Sequence, residues 1–234
     1  MKKTFFLLAA LMMTAFANAQ TSIEMGKLFT FENGENGKPK PIDLNDPSTV
    51  KGGVVFIGDT RPAEKIQEGK YRGMRVTKSR RHFTVDGKLC QYQAALAFRR
   101  APQGASVDHQ IDVNRVPRSC MVQLKPTAGG KLTFAAQTNK PDGNNLYVAV
   151  LNGTTFTPLA TLNFVKSEKT GKKDNPFETQ SCDYNYTAGD ELWIYSDGGI
   201  NLYAISFSGT IDDSFTGTEP VATAKKVSKA QKNK

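Results

Sequence analysis

Arginine side chains in the first half of the chain are the residues whose chemistry most suggests a ligand. Residues 61–118 hold 13 Lys or Arg against 5 Asp or Glu. The planar guanidinium group donates paired hydrogen bonds to carboxylate and sulfate groups, and a nearby tyrosine ring offers a flat apolar face to a sugar. The sequence therefore predicts a ligand-binding basic face made of Arg72, Arg80, Arg81, Tyr92, Arg99 and Arg100. The alternative is an ordinary solvated surface on which arginine stems cover apolar neighbours.

A polysaccharide that carries uronic acids or sulfate esters is the partner that this chemistry fits best. The chain has a formal net charge of +9, but residues 21–220 together carry only +2. The remaining excess lies in the first residues and in a lysine-rich stretch at the other end. Because the body of the protein is nearly neutral, we expect no nucleic acid as a partner.

Short catalytic motifs of the metalloprotease, P-loop and dinucleotide-binding types do not occur in the sequence. The two histidines are His82 and His109, and Asp108 cannot orient His109 because neighbouring side chains on an extended chain point apart. A glycosidase needs two opposed carboxylates. The acids of the expected turns, Asp142, Asp174, Asp183 and Asp197, show no such pairing. We therefore expect no catalytic activity and no cofactor, while loop oxygens leave calcium binding open without naming its ligands.

Three cysteines, Cys90, Cys120 and Cys182, are spaced too far apart for a metal-binding motif. In an exported protein any one pair of them could form a disulfide bond. The other interpretation is that all three are buried and behave as small apolar residues.

Both ends of the chain differ in composition from its body. Two lysines, an apolar run over residues 5–16 and small residues at 17–19 are typical of a secretory signal peptide over residues 1–19. No cysteine follows, so we expect no lipid anchor, and no other stretch is long enough to span a membrane. The mature protein is expected to be secreted, periplasmic or on the cell surface. Residues 213–234 predict a disordered lysine-rich tail.

Residues 20–212 consist of short apolar runs with alternating patterns, separated by turn signals. The turns recur at roughly every 8 to 14 residues, and long amphipathic helical patterns are missing, which is typical of an all-β domain. The fold class predicted is an antiparallel β-sandwich or jelly roll in a single domain.

The stretch from residue 189 to residue 209 is predicted to lie at the centre of this fold. Its two apolar runs flank Asp197-Gly198-Gly199, which favours a tight turn and hence a β-hairpin. Both faces of the runs are apolar, as in strands that are covered on both sides. Trp193 within the first run is predicted to pack in the core rather than to serve as a platform for a sugar.

Three segments, SCMVQLKPTAGGKLTFAAQT, NNLYVAVLNGTT and YTAGDELWIYSDGGINLYAISFSG, carry a resemblance to a known family. They resemble the β-sandwich modules attached to secreted bacterial pectate lyases and related glycan-degrading enzymes, which also occur as free-standing secreted proteins. The resemblance covers residues 115–209 well and residues 23–114 loosely. It implies a jelly-roll module with a carbohydrate-binding role, without implying particular binding residues.

Three hypotheses about function follow from these observations. The first is a secreted, non-catalytic β-sandwich module that binds carbohydrate, preferably anionic glycans, through the basic face. The second is a structural or adhesive protein of the cell surface whose sandwich makes protein–protein contacts. The third is a lyase or hydrolase whose site is assembled from loops. Salt separates the first two, because binding through arginines weakens as ionic strength rises.

Overall fold

The structure, a computed structural model, describes residues 21–44, 48–58, 74–98, 113–114 and 116–220. Within these ranges the chain forms one helical turn, α1 (Met25–Leu28), and fourteen strands. The strands are β1 (Thr21–Glu24), β2 (Ile42–Leu44), β3 (Thr49–Lys51), β4 (Val54–Ile57), β5 (Met74–Val85), β6 (Lys88–Ala97), β7 (Met121–Leu124), β8 (Gly130–Gln137), β9 (Asn144–Asn152), β10 (Thr155–Phe164), β11 (Phe177–Glu178), β12 (Gln180–Tyr184), β13 (Asp190–Ser196) and β14 (Asn201–Phe207). The predicted signal peptide lies outside the described residues.

Two sheets form the sandwich. The eight-stranded sheet has the order β11-β5-β6-β14-β8-β12, with β1 also beside β14 and β2 beside β5. The six-stranded sheet has the order β10-β9-β13-β7-β4-β3. All described pairings are antiparallel except that of β11 with β5. The prediction of an all-β antiparallel sandwich is confirmed.

The main core lies between the two sheets, and it joins side chains from nearly every long strand. Phe56 of the six-stranded sheet and Phe134 of the eight-stranded sheet are both fully buried in it. The ring of Phe29, which follows α1, packs edge-on against Phe56 with ring centroids 5.2 Å apart. Burial of aromatic side chains of this size is the main stabilising contribution in such a sandwich.

The prediction of a β-hairpin over residues 189–209 is wrong, because the two strands do not pair with each other. β13 and β14 are both interior strands, as predicted, but β13 belongs to the six-stranded sheet and β14 to the eight-stranded one. Asp197 accepts a hydrogen bond from the Asn145 backbone (2.8 Å), and Ile200 accepts one from the Phe98 backbone (2.7 Å). These bonds carry the chain from one sheet to the other. Trp193 is 1% exposed, which confirms its place in the core.

A second apolar cluster lies on the other face of the eight-stranded sheet. It includes Ala135 and Ala204, whose chain neighbours Phe134 and Ile205 belong to the main core, so alternation puts the two sets on opposite faces. Its largest members are Phe83, Tyr92, Phe177 and Tyr203. We call these four rings the aromatic layer.

The β5–β6 hairpin bends over this face. It turns at Asp86-Gly87, both with positive φ (46° and 74°), as a two-residue turn of this sequence requires. Its register shifts between Lys78 and Arg81, where β5 has a bulge. Asp86 at the tip forms an ion pair with Lys131 of β8 (3.0 Å), although β6 and β14 lie between β5 and β8 in the sheet. The tip of the hairpin therefore covers part of the aromatic layer.

Residues 211–220 pack against the six-stranded sheet. The Asp212 backbone N–H donates to the Lys125 carbonyl (2.8 Å), and Phe215 is 8% exposed. The buried amide of Gln123 donates to the Thr218 carbonyl (2.8 Å) and accepts from its backbone N–H (3.0 Å). Residues 213–220 of this segment have no apolar periodicity, and for that reason the sequence placed them in the predicted tail. Residues 221–234 lie outside the described residues.

Candidate functional site: a polar pocket and a basic face

A concave pocket of about 390 Å³ lies at the end of the sandwich where β6 ends, β9 begins and the chain crosses from β13 to β14. Its walls include Phe98, Thr138, Asn139, Lys140, Asn144 and Asn201. We call it the end pocket. Its size falls within the range of about 300 to 1,000 Å³ that is usual for small-molecule sites in proteins.

The rear wall of the end pocket is held by a small hydrogen-bond network. The Thr138 hydroxyl donates to the Gly199 carbonyl (2.9 Å). The Asn144 amide, only 7% exposed, donates to the Thr138 hydroxyl (2.9 Å) and to the same carbonyl (3.0 Å). A Cβ at Gly198 would overlap the Asn144 side chain, so this position needs glycine. The wall is therefore fixed before any ligand arrives.

The groups available to a ligand lie around this fixed wall. Asn139 and Lys140 are exposed, and Asn201 is half-buried. Amide groups both donate and accept hydrogen bonds, and an ammonium group donates three. Lys140 is the one charged residue among the described residues that line the pocket. The set suits a ligand rich in hydroxyl groups, with an acidic group near Lys140.

Asp197, one of the acids noted in the sequence, lies close to the end pocket, but its role is structural. Its carboxylate accepts hydrogen bonds from the Asn145 backbone (2.8 Å), the Asn145 amide (2.7 Å) and the Tyr147 hydroxyl (3.1 Å). A carboxylate that is satisfied three times over fixes a strand end and is poorly suited to act as a catalytic acid.

A second carboxylate with several hydrogen bonds, this one buried, is found at the opposite end of the molecule. Asp190 is 4% exposed and accepts from the Tyr184 hydroxyl (2.8 Å), the Thr187 backbone (2.9 Å) and the Asn152 amide (2.6 Å). Burial, reinforced by the bond to Asp190, raises the pKa of Tyr184. This network also holds a turn, and no carboxylate pair results.

The predicted basic face is represented in the structure by Arg80 and Arg81, at the bulge of β5. Arg80 is exposed and Arg81 is half-buried. Arg81 donates to the Arg80 carbonyl (2.7 Å), and neither side chain has a carboxylate partner among the described residues. Arg75, by contrast, pairs with Asp43 (2.6 Å). The predicted residues Arg72, Arg99 and Arg100 lie outside the described residues.

Tyr92 is not available as a surface platform for a sugar ring. It is 5% exposed and packs against Phe83 with ring centroids 5.8 Å apart. Burial raises its pKa above the usual value. Its proximity to the arginines in sequence suggested a shared surface, but the bend of the hairpin turns the ring into the aromatic layer.

The end pocket and the basic face are separate places on the same hairpin. Ala97 at the pocket pairs with Arg75, whereas Tyr92 pairs with Arg81. Six residues of β5 separate the two positions, which is at most about 20 Å at ~3.3 Å per strand residue. A single small ligand does not reach both, but a polymer of several sugar units does.

The described residues hold no group of three or more His, Cys, Asp or Glu side chains that could bind a metal. His82 uses its backbone N–H to bind the Gly171 carbonyl (2.8 Å), and His109 is outside the described ranges. All three cysteines are described: Cys90 and Cys182 are free thiols, and Cys120 is fully buried. Burial raises the pKa of Cys182 to about 11.

No family model matches the sequence, and no curated protein matches it. Among solved structures, the fold is similar to a family 6 carbohydrate-binding module at 10% identity, covering 81% of this chain and 94% of that one, with a TM-score of 0.34. A second such module, from Clostridium stercorarium in complex with cellobiose, is 15% identical over 62% of this chain and 92% of that one, with a TM-score of 0.32. The cleaved adhesin domain of Lys-gingipain from Porphyromonas gingivalis W83 is 12% identical over 82% and 99%, with a TM-score of 0.37.

At these TM-scores the likenesses carry no argument about a site. They also give no support to the association with pectate lyases. In the part of the chain that the structure describes, no helix is long and apolar enough to cross a membrane.

Sequence reasoning missed the residues of the end pocket. Asn139 and Lys140 stand in a stretch that reads only as a turn, and Asn144 and Asn201 stand at the first positions of strands. Their proximity arises because the chain changes sheets between β13 and β14, which places Gly199 against Thr138. A run of asparagines at strand ends was the only available signal.

Proposed function

We propose that this protein is a secreted, non-catalytic β-sandwich module that binds carbohydrate, and that the end pocket is its binding site. The observation that carries the proposal is a pocket of suitable size with a prearranged wall and with amide groups at its rim. Sugar hydroxyls are recognised by such groups, and a wall that is already ordered lowers the entropy cost of binding.

Support for a non-catalytic role comes from the chemistry of the lining. The described residues around the pocket include no carboxylate, imidazole or thiol. The Thr138 hydroxyl is engaged with the Gly199 carbonyl and is not paired with a base. Glycoside hydrolysis needs two carboxyl groups across the scissile bond, so binding without turnover is the simplest function of this site.

The preference for anionic glycans is the second part of the proposal. Lys140 supplies a positive charge within the pocket, and Arg80 and Arg81 supply two more on the hairpin whose other strand reaches the pocket at Ala97. Surface arginines whose charges are not engaged with a carboxylate can bind carboxylate or sulfate groups of a ligand. A uronic-acid or sulfated polysaccharide that enters the pocket and extends along β5 would use both places.

The test uses calorimetric titration of the full mature chain with neutral and acidic oligosaccharides. The variant Asn139→Ala/Asn201→Ala removes two amides from the pocket rim while leaving the buried network intact. Each lost hydrogen bond contributes about 1 kcal/mol, so we expect binding weakened by about tenfold or more. Melting temperature should remain close to that of the wild type.

Asn185→Ala is the matched control, because this exposed asparagine follows β12 at the opposite end of the sandwich. Equal affinity of the pocket variant and the control would remove the end pocket as the binding site. If no oligosaccharide binds the wild type, the carbohydrate proposal fails, and protein contacts of the adhesive kind become the leading function.

A further inference from the structure

The segment that follows β10 folds back onto the basic face. Lys169 to Asn175 form a tight loop in which the Gly171 backbone N–H donates to the Asn175 carbonyl (3.0 Å) and the Asn175 N–H donates to the Lys172 carbonyl (3.1 Å). We call this segment the lysine loop. It lies about 90 residues after the arginines in sequence, and nothing in the sequence pattern connects the two.

Three contacts fasten the lysine loop to β5. The His82 backbone N–H donates to the Gly171 carbonyl (2.8 Å). Directly after the loop, β11 pairs with Phe83 and Thr84 in parallel register. The Thr179 hydroxyl then donates to the Thr84 carbonyl (3.1 Å). The loop is thus held on both sides of its tip.

Gly171 is the point of closest approach. It is buried, its φ is +66°, and a Cβ there would lie 2.7 Å from Arg81 Cδ and would overlap the Phe177 ring. The absence of a side chain lets the loop backbone lie directly on the stem of Arg81. Consequently Lys172, the next residue, is held beside the arginines, and Lys173 follows it at the surface.

The charges around this contact are unevenly balanced. Arg80, Lys172 and Lys173 are exposed and Arg81 is half-buried, and no ion pair engages any of the four among the described residues. Lys169 is neutralised by Glu178. Asp174 and Glu168 are the remaining exposed acids of the segment. Four cations without an ion pair among the described residues thus flank the place where Gly171 packs on Arg81, two from each of two distant parts of the chain.

We propose that Arg80, Arg81, Lys172 and Lys173 form one anion-binding site, positioned by Gly171, for the carboxylate or sulfate groups of an acidic polysaccharide. This inference rests on the anionic preference in the proposed function and adds the lysine loop to it. The aromatic layer beneath the cations is buried, so none of the rings that the structure describes at this site is exposed for nucleic-acid bases to stack on. A polymer with regularly spaced acidic groups fits it better.

The first experiment measures the affinity of the full chain for polygalacturonate and for sulfated dextran by affinity electrophoresis. Lys172→Ala/Lys173→Ala removes two charges from the site, and Lys38→Ala/Lys40→Ala removes two exposed charges from an unrelated loop. Arg80→Ala/Arg81→Ala serves as the reference for the proposed basic face. We expect the first and third variants to weaken binding by roughly fivefold or more, and the second by less than about twofold.

The second experiment changes position without changing charge. Gly171→Ala should lift the lysine loop off Arg81 and weaken binding about as much as the lysine variant does. Gly37→Ala is the matched control, because Gly37 has a similar φ of +69° but no atom near the position of a Cβ. Gly37→Ala bears the same backbone strain and should leave binding unchanged. Thermal melting identifies any variant that fails to fold. If Gly171→Ala does not fold, the binding of Lys172→Ala/Lys173→Ala decides whether the lysine loop takes part in the site.

Each outcome separates this inference from the proposed function. If Lys172→Ala/Lys173→Ala weakens binding no more than Lys38→Ala/Lys40→Ala does, while Arg80→Ala/Arg81→Ala weakens it strongly, the lysine loop is excluded and the basic face stands. If no variant matters, or no acidic polymer binds, this inference and the preference for anionic glycans both fall, while binding of neutral oligosaccharides still decides the end pocket. If the charge variants lose as much affinity for duplex DNA as for the acidic polysaccharides, the choice of polysaccharide as the ligand is overturned. Binding unaffected by Asn139→Ala/Asn201→Ala would support a site separate from the end pocket.

Discussion

The end pocket and the basic face present their polar groups in opposite ways. In the end pocket, Asn144 and Thr138 are bonded to each other and to the Gly199 carbonyl, so the wall has one geometry. On the basic face, Arg80 and Arg81 have no carboxylate partner among the described residues, so their charges are not engaged in ion pairs. The end pocket is therefore suited to recognising the shape of a sugar, and the basic face is suited to recognising its charge.

Removal of the Asn144 amide should disturb the end pocket strongly, in both stability and ligand binding. Asn144→Ala removes two hydrogen bonds, one to the Thr138 hydroxyl and one to the Gly199 carbonyl, which costs about 1–3 kcal/mol in the free energy of unfolding. Urea denaturation measures this loss, and oligosaccharide binding in the pocket should disappear with it. Asn163→Ala, at an exposed amide that donates to Asn145, should cost less than about 0.5 kcal/mol. Equal costs for the two variants would contradict a prearranged wall.

Salt should weaken ligand binding at the basic face much more than ligand binding in the end pocket. Attraction between exposed charges is screened over about 10 Å at 0.1 M ionic strength, so retention of an acidic polymer by Arg80 and Arg81 should fall by roughly tenfold between low and high salt. Binding of a neutral oligosaccharide in the end pocket should change by less than about twofold. The measurement is a titration of both ligands at a series of salt concentrations. A parallel loss for both ligands would mean that one charged site binds both.

Alkaline pH should act through the aromatic layer beneath the basic face and leave the amide wall unaltered. Burial raises the pKa of Tyr92, so the folded state keeps a proton that the unfolded state loses above about pH 10. The contribution of protonated Tyr92 to the free energy of unfolding is therefore fully present below pH 10, and it decreases as the pH rises further. Cys182, with its pKa raised to about 11, adds a loss that begins near pH 9.

Melting temperature as a function of pH measures this effect. Tyr92→Phe should flatten the decline above pH 10, whereas Tyr186→Phe, at a tyrosine that is 41% exposed, should not. An identical decline in the two variants would show that Tyr92 titrates in the folded protein as it does in water.

Loss of the arginines should have the smallest effect on stability. Arg80→Ala/Arg81→Ala breaks no ion pair among the described residues, and surface substitutions of this kind usually change the free energy of unfolding by less than about 0.5 kcal/mol. Chemical denaturation should thus find a nearly unchanged protein whose binding to acidic polymers is impaired. A large loss of stability would assign the arginine stems a packing role over the aromatic layer.

Much of the fold could be predicted from the sequence because strands and turns are local. Alternating apolar residues and the Asp86-Gly87 turn indicate strands and a hairpin without knowledge of distant contacts. The same logic failed at Asp197-Gly198-Gly199, where the local signal for a tight turn is real but tertiary hydrogen bonds from Asn145 and Phe98 carry the chain to the other sheet.

The candidate site was harder to predict because its parts come from distant segments. The arginines could be found as a cluster in sequence, yet Tyr92 beside them is buried against Phe83 in the aromatic layer. Lys172 reaches the same face only because Gly171 allows close packing on Arg81. Local composition indicates charge, whereas the partners of that charge are set by the register and bending of the sheets.

Chemical-shift mapping with an acidic trisaccharide such as trigalacturonate tests the central claim most directly. If the end pocket binds carbohydrate, the backbone amides of Asn139, Lys140, Asn144 and Asn201 should shift together in a saturable manner, and amides at the far end, such as that of Asn185, should not. Shifts confined to other surfaces, or none at saturating ligand, would contradict the assignment of the end pocket as the binding site.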